Sequence, residues 1–336
     1  MSPEAPSATQ QIGSHAHGSD PRNADILISV NGALFPREKA VVSVFDSGFI
    51  LGDGVWEGLR VTAGGVAFLD AHLRRLYEGA RAIDMDIGLA PRALAGRIFD
   101  VLDANAMTDG VHIRLMVTRG IKSTPYQDPR MTISPATVVI IPEYKQPAPD
   151  NAARGLSLFT STIRRTGPDQ QDQKLNSHSK LNCIQACIQA TKAGADEALM
   201  LDPRGFVATC NSTHFFIVRD GEVWTSPGMY CLGGITRRKI LDVCRDAAIT
   251  AREKDFSLVD VYGADEAFVT GTFAGVTPVR TVDGRKLGDP LIATREDAAL
   301  PGRITSRIAA AYKARAAQAL FHRNTPLSAT DGGTAS

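Results

Sequence analysis

The sequence of 336 residues has no apolar run approaching the length that spans a bilayer. Its opening, MSPEAPSATQQIGSHAHGSDPRNAD, carries neither the basic segment nor the apolar stretch of an export signal, so an unexported, cytoplasmic protein with no membrane partner is expected. Charge of one sign is not in excess either. The 37 Lys and Arg face 36 Asp and Glu, which leaves little to neutralise nucleic-acid phosphates or anionic lipid, so the expected partner is a small molecule and not nucleic acid. Cysteines are an odd five (Cys183, Cys187, Cys210, Cys231 and Cys244) with no CxxC pair, which argues against a disulfide framework and fits a reducing compartment. No metal is expected: the HxH of His15 and His17 has no fixed third ligand, and Cys183 and Cys187, four apart, read as small residues on a packed helix face.

What is present is ample apolar material, 43% hydrophobic against 22% charged, enough for about two domains. Residues 1–24 and 323–336 are rich in small and polar residues without periodicity and are expected to be a disordered extension and a disordered tail. Asn31-Gly32, between two short strand-like runs, signals a hairpin, and LRVTAGGVAFL repeats the pattern around Gly64-Gly65. DAHLRRLYEGARAIDMDI then switches to helical spacing, with Leu73, Leu76, Ala80 and Ile83 on one face. Strands and helices alternate to about residue 145, a small α/β domain over 25–145. KQPAPDNAARG is a Pro-rich linker over 146–155, and an α+β half with several antiparallel strands follows over 156–322. The fold class is α+β in two domains.

Three segments carry donors suited to an anion. LGGITRRK (232–239) puts two glycines, Ile235 and Thr236 at a helix start, where free backbone amides and the helix dipole favour negative charge. TGTFAG (270–275) offers a second turn of small residues with two hydroxyls. HLRRL (72–76) holds Arg74 and Arg75, which cannot share a helix face, so one points inward. Each feature alone is ordinary.

Taken in order, DSGFILGDGVWEGLRV, HLRRL, GADEALMLDPRGFVATCNSTHFFIVRDGEVWTS, LGGITR and YGADEAFVTGTFAGVTPV resemble the class IV aminotransferases, the fold-type IV pyridoxal-phosphate proteins, from about Val30 to Gly284. That group includes branched-chain and D-amino-acid aminotransferases and aminodeoxychorismate lyase. The resemblance implies a small N-terminal α/β domain, a larger barrel-like C-terminal domain with pyridoxal 5'-phosphate between them, and a homodimer. It further implies that Arg75 binds the phosphate, that Ile235 and Thr236 form the phosphate cup, that Thr272 closes it, and that Phe273 and Ala274 follow in a turn that receives a substrate carboxylate. Trp56, with Glu57, Arg114, Arg119 and Tyr126, is expected toward the substrate.

Two motifs depart from the family pattern. Asn176 in DQKLNSHSKLN stands where the Schiff-base lysine is usual, and Thr209 in TCNSTHFF stands where a glutamate pairs with the pyridine nitrogen, with His214 at the usual asparagine. If Asn176 opens the helix, Lys180 lies four residues on, about 6 Å away on the same face and leaning back toward Asn176. Lys174, two residues before Asn176 on an extended segment, points to the same side. Lys180 is the expected catalytic amine and Lys174 the alternative. The implied function is an aminotransferase acting on an amino acid or small amine and a 2-oxo acid through this relocated lysine. A neutral Thr209 weakens the electron sink and leaves open a lyase. Asn176 and Thr209 together leave open a protein that binds the cofactor, or another phosphorylated ligand, without catalysis.

Overall fold

The computed structural model describes residues 13–15, 17–148, 153–288 and 300–327. Two sheets organise it. The first contains β1 (Leu27–Val30), β2 (Ala33–Pro36), β3 (Gly54–Thr62), β4 (Gly65–Ala67), β5 (Val111–Thr118) and β6 (Thr137–Tyr144), together with a late strand, β16 (Leu320–Phe321). Its order is β16-β4-β3-β5-β6-β1-β2, antiparallel throughout. Asn31 and Gly32 make the first turn with φ of 54° and 91°, the left-handed pair that a two-residue hairpin requires. The second turn is shifted by one residue from the sequence reading: Thr62 pairs with Gly65, so Ala63 and Gly64 are its corner.

Alternation in this sheet decides what reaches the site. Val55, Leu59, Val61, Val111, Ile113, Leu115 and Val117 face one side, where they pack against α2 (Leu69–Ala82) and α3 (Pro91–Ala104). Period two then sends Trp56, Gly58 and Arg60 of β3, and His112 and Arg114 of β5, to the other side. The register places Gly58 opposite Arg114 and Arg60 opposite His112, so these side chains share one patch of sheet.

The second sheet is built from β7 (Leu156–Thr160), β8 (Glu197–Leu201), β9 (Val207–Cys210), β10 (His214–Arg219), β11 (Glu222–Thr225), β12 (Ala251–Glu253), β13 (Glu266–Gly271), β14 (Gly275–Val282) and β15 (Arg285–Lys286). Its path is β12-β11-β10-β13-β14-β7-β8-β9, with β15 on β14. The terminal strand β9 connects to β10, in mid-sheet, through only Asn211–Thr213, so the sheet curls back on itself. After α1 (Ser47–Leu51), α2 and α3, the helices are α4 (Leu181–Lys192), α5 (Ile235–Asp246), α6 (Leu258–Tyr262) and α7 (Arg303–Gln318). Ile240, Val243, Ile304 and Ile308 of α5 and α7 close a core over Phe216 and Phe268, whose rings stack at 4.9 Å.

Strands of the first sheet run to Tyr144 and those of the second begin at Leu156, with β16 the exception: the chain returns after α7 to pair Leu320 and Phe321 with Ala67 and Val66. Phe321 is buried against Phe99 because the edge of β4 and the end of α3 leave an apolar slot there. The N-terminal extension is described from Gly13. Its later part is fixed by specific bonds that composition does not reveal: Asn23 exchanges hydrogen bonds with the Tyr144 backbone, and the Arg22 guanidinium lies 3.6 Å over the Tyr144 ring. The residues of the extension before Gly13, and those after Leu327 in the tail, lie outside the described residues. Among the described residues no helix is long and apolar enough to cross a membrane, and the five cysteines are free.

Candidate active site

Between the two sheets lies an open-mouthed cavity with about 100 Å³ of enclosed room. Trp56, Gly58, His112 and Arg114 come from the first sheet and Arg75 from α2. Gly234, Ile235 and Thr236 come from the start of α5, and Thr270, Gly271, Thr272 and Phe273 from the β13–β14 turn. Asn176, Ser212, His214, Leu232 and His15 complete the lining.

Arg75 is held rigidly. Its Nε and Nη2 donate to the two oxygens of Glu57 at 2.7 and 2.6 Å, and Nη1 donates to Gly233 O at 2.9 Å, just before α5. Glu57 is completely buried and also meets His72 Nδ1 at 2.7 Å. Burial alone would raise the Glu57 carboxyl, but the Arg75 charge and the hydrogen bonds from His72 and Arg75 outweigh it and hold the group below the ordinary range. Alternation therefore turns Glu57 away from the cavity, and its task is to aim Arg75. Arg74 lies instead along a separate surface groove with Tyr77 and Pro91.

At α5 the first intrahelical bond is Arg238 N to Gly234 O, so the amides of Ile235, Thr236 and Arg237 are free of it and point out of the helix start. Gly234 is obligatory there: a β-carbon would overlap the His214 ring. His214 Nε2 meets Leu232 O at 2.8 Å, and burial, with help from the Arg237, Arg75 and Arg165 charges, lowers the imidazole to about 3. It is a neutral donor that fixes the loop before the helix. Arg75 thus meets the residue before α5, and Ile235, Thr236 and Thr272 line the same cavity, a set of donors suited to a phosphate.

Two buried polar atoms at this cavity have no protein partner, Asn176 Oδ1 and Thr270 Oγ1. Asn176 does not open a helix. Residues 176–178 run as an added edge along β3, with Trp56 N donating to Asn176 O, Asn176 Nδ2 donating to Trp56 O and His178 N donating to Gly54 O. The helix starts at Leu181, because the extended backbone that pairs with β3 is incompatible with helical bonding, and Lys180 is its N-cap residue. Lys180 does not line the main cavity. It borders a smaller one with Arg165, Gln171 and Cys183, and its Nζ lies 5.7 Å from the centre of the Trp56 ring. Burial, partly offset by Cys183 and reinforced by Arg165 and Arg75, lowers its amine to about 8. Lys174 is exposed in a turn whose amide is held by Asp172.

Thr209 is buried on β9 with its hydroxyl donating to Thr213 O at 2.8 Å, and it does not line the cavity. Nor does Ala274, although its neighbours Thr272 and Phe273 do. Arg119 is absorbed by an ion pair with Asp53 at 2.7 Å, and Tyr126 stands exposed. On the Phe273 side, Arg114 lies 3.9 Å over the Trp56 ring, and Lys145 and Arg60 lie 5.1 and 5.9 Å from the Phe273 centroid. His112 and Thr270 were not singled out from the sequence. The alternation of GVHIRLMV gives His112 the same face as Arg114, which was the available signal.

Residues 54–282 match the model of the amino-transferase class IV family. The chain is 38% identical over 87% of its length to branched-chain-amino-acid aminotransferase-like protein 2 of Arabidopsis thaliana, and spans about half (51%) of that relative. It is 35% identical to a putative branched-chain-amino-acid aminotransferase of Methanocaldococcus jannaschii, covering 85% of this chain and 95% of the relative. Among solved structures, the branched-chain aminotransferase from the thermophilic archaeon Thermoproteus uzoniensis with norvaline matches with a TM-score of 0.77 at 27% identity, over 89% of this chain and 99% of that one.

Proposed function

Since the chain belongs to the class IV aminotransferase family, we propose that it is a pyridoxal 5'-phosphate-dependent aminotransferase acting on an amino acid or small amine and a 2-oxo acid. The observation that carries this reading is that Arg75, bonded to Gly233 O, the free amides at Ile235 and Thr236, and Thr272 all belong to a single cavity. The unpaired Asn176 Oδ1 and Thr270 Oγ1 support it, because buried polar atoms without a partner ask for a bound group to satisfy them.

When bound, pyridoxal phosphate supplies an aldehyde that bonds amines and a ring that draws electrons from the substrate α-carbon. Arg75, Ile235, Thr236 and Thr272 hold its phosphate. Trp56 and Phe273 orient the substrate. Lys180, which borders the smaller cavity with its Nζ 5.7 Å from the centre of the Trp56 ring, is our catalytic amine: at about 8 it sheds its proton far more readily than an exposed lysine. Lys174, exposed and remote in its turn, is the weaker alternative.

A second reading, a binder of pyridoxal phosphate without a covalent bond, draws on Asn176 lining the cavity where the family's lysine is usual. We further propose a homodimer, supported by large apolar side chains left open at Val41 (74% exposed), Phe49 (71%) and Leu181 (66%). Free cysteines support a reducing, cytoplasmic setting. Borohydride reduction of the loaded protein followed by peptide mapping tests the central assignment. An adduct on Lys180 is expected; none on any lysine, with cofactor retained, establishes the second reading instead.

A further inference from the structure

The N-terminal extension reaches into the candidate site. Ser14 is buried, its hydroxyl 3.5 Å from that of Ser212, which in turn donates to the buried Glu197. The His15 ring stacks on Phe273 at 5.6 Å and 13°, and His17 meets the same ring edge-on at 6.4 Å. The segment then leaves the cavity for the first sheet, where Asp20 caps a short turn, Arg22 covers Tyr144 and Asn23 binds the Tyr144 backbone. It is tied at one end to the second sheet and at the other to the first, and between these ties His15 lines the cavity.

Beneath it the lining has a one-sided charge. Arg114 lines the cavity over Trp56, Arg60 and Lys145 flank the Phe273 ring from outside the lining, and His112 meets Phe273 edge-on at 5.5 Å; Glu143 faces Arg114 and Lys145 and Asp109 faces Arg60, but neither carboxylate lines the cavity among the described residues. A roof that keeps water from such cations strengthens their attraction for an anion, since attraction rises as the local dielectric falls.

Resting on the aminotransferase reading, we infer that the segment bearing Ser14, His15 and His17 is a strap over the substrate side of the cavity, and that His15 determines specificity by favouring substrates with a second carboxylate. The strap shields Arg60, Arg114 and Lys145 from solvent, and His15 fixes Phe273 as the wall along which the substrate side chain lies. A neutral, branched side chain gains little from the shielding.

The test compares the full chain, a variant lacking residues 1–19, and His15→Ala, all loaded with pyridoxal phosphate. KM and kcat are measured with a five-carbon 2-oxo dicarboxylate and a branched 2-oxo monocarboxylate. Both changes should raise KM for the dicarboxylate by about tenfold or more and for the monocarboxylate by less than about threefold, the change being carried by KM rather than kcat. Amide exchange in residues 13–24 of the full chain is measured with and without glutarate or 4-methylvalerate, and glutarate alone should slow it. Equal KM changes for the two acids, no change for either, or equal protection by both ligands overturns the inference. Failure of the aminotransferase reading shows differently, as no turnover of either acid by the full chain, and the exchange measurement then still decides the strap.

Discussion

Replacing Arg75 with alanine strands Glu57. Its carboxylate is completely buried and takes two hydrogen bonds from Arg75, leaving only His72 once the guanidinium is gone. Breaking a buried pair by removing one partner costs about 3–5 kcal/mol, a large share of the 5–15 kcal/mol that holds a typical domain together. The pH dependence identifies the cause. In the native protein Glu57 sits below its unfolded value, so its contribution is present above the ordinary glutamate range and is lost as pH falls through the folded value. In Arg75→Ala, burial is no longer outweighed, the folded value rises above the unfolded one, and stability falls as pH climbs through that window. Urea denaturation of the cofactor-free protein at pH 5 and pH 7.5 should therefore show a larger loss at pH 7.5 for Arg75→Ala. Glu57→Gln with Arg75→Ala should recover most of the loss, since a neutral amide still accepts from His72. A single variant costing less than about 1 kcal/mol, or one whose loss is flat with pH, would refute the account of Glu57 as a buried anion aimed at Arg75.

The same reasoning extends to other sites. Trapping of cofactor on Lys180 by borohydride should rise with pH, half-complete near 8, because the protonated amine below that value is unreactive, and Lys180→Ala should abolish it; a midpoint near 10 would contradict a desolvated amine. Gly234→Ala should destabilise by about 1–3 kcal/mol through overlap with the His214 ring and weaken binding of inorganic phosphate, and adding His214→Ala should restore part of the stability measured by thermal melting. Arg119→Ala loses the pair with Asp53 and two backbone acceptors at Asp84 and Ile83, so it should lower Tm while leaving KM unchanged; a KM effect would put Arg119 at the substrate after all.

Much of the fold was legible because hydrophobic period and turn chemistry are local. Asn31-Gly32, the α2 face of Leu73, Leu76 and Ala80, and the α+β class all follow from spacing over a few residues. The helix start at Ile235 was also legible, since Gly234-Ile235-Thr236 advertises it. The geometry around Asn176 was not. Whether residues 176–178 wind into a helix or pair with β3 depends on a strand more than a hundred residues away, and that pairing decides where Lys180 points. The extension was illegible for a similar reason: its anchors, Tyr144, Ser212 and Phe273, are remote in sequence, and each supplies a contact no composition average detects. Glu57 was assigned to the right neighbourhood but to the wrong side of its strand, an error that counting alternation from Val55 corrects.

The return of Leu320 and Phe321 to the edge of β4 has a practical consequence for anyone cutting or rearranging this chain. The first sheet is completed by a strand synthesised after the whole of the second, so a ribosome-bound chain cannot finish its amino-terminal half until that late segment emerges. Expressing residues 25–145 alone would leave Val66 and Ala67 as an open, apolar edge ready to pair with another copy. A nick in the linker, by contrast, should yield two fragments that stay together on a gel-filtration column.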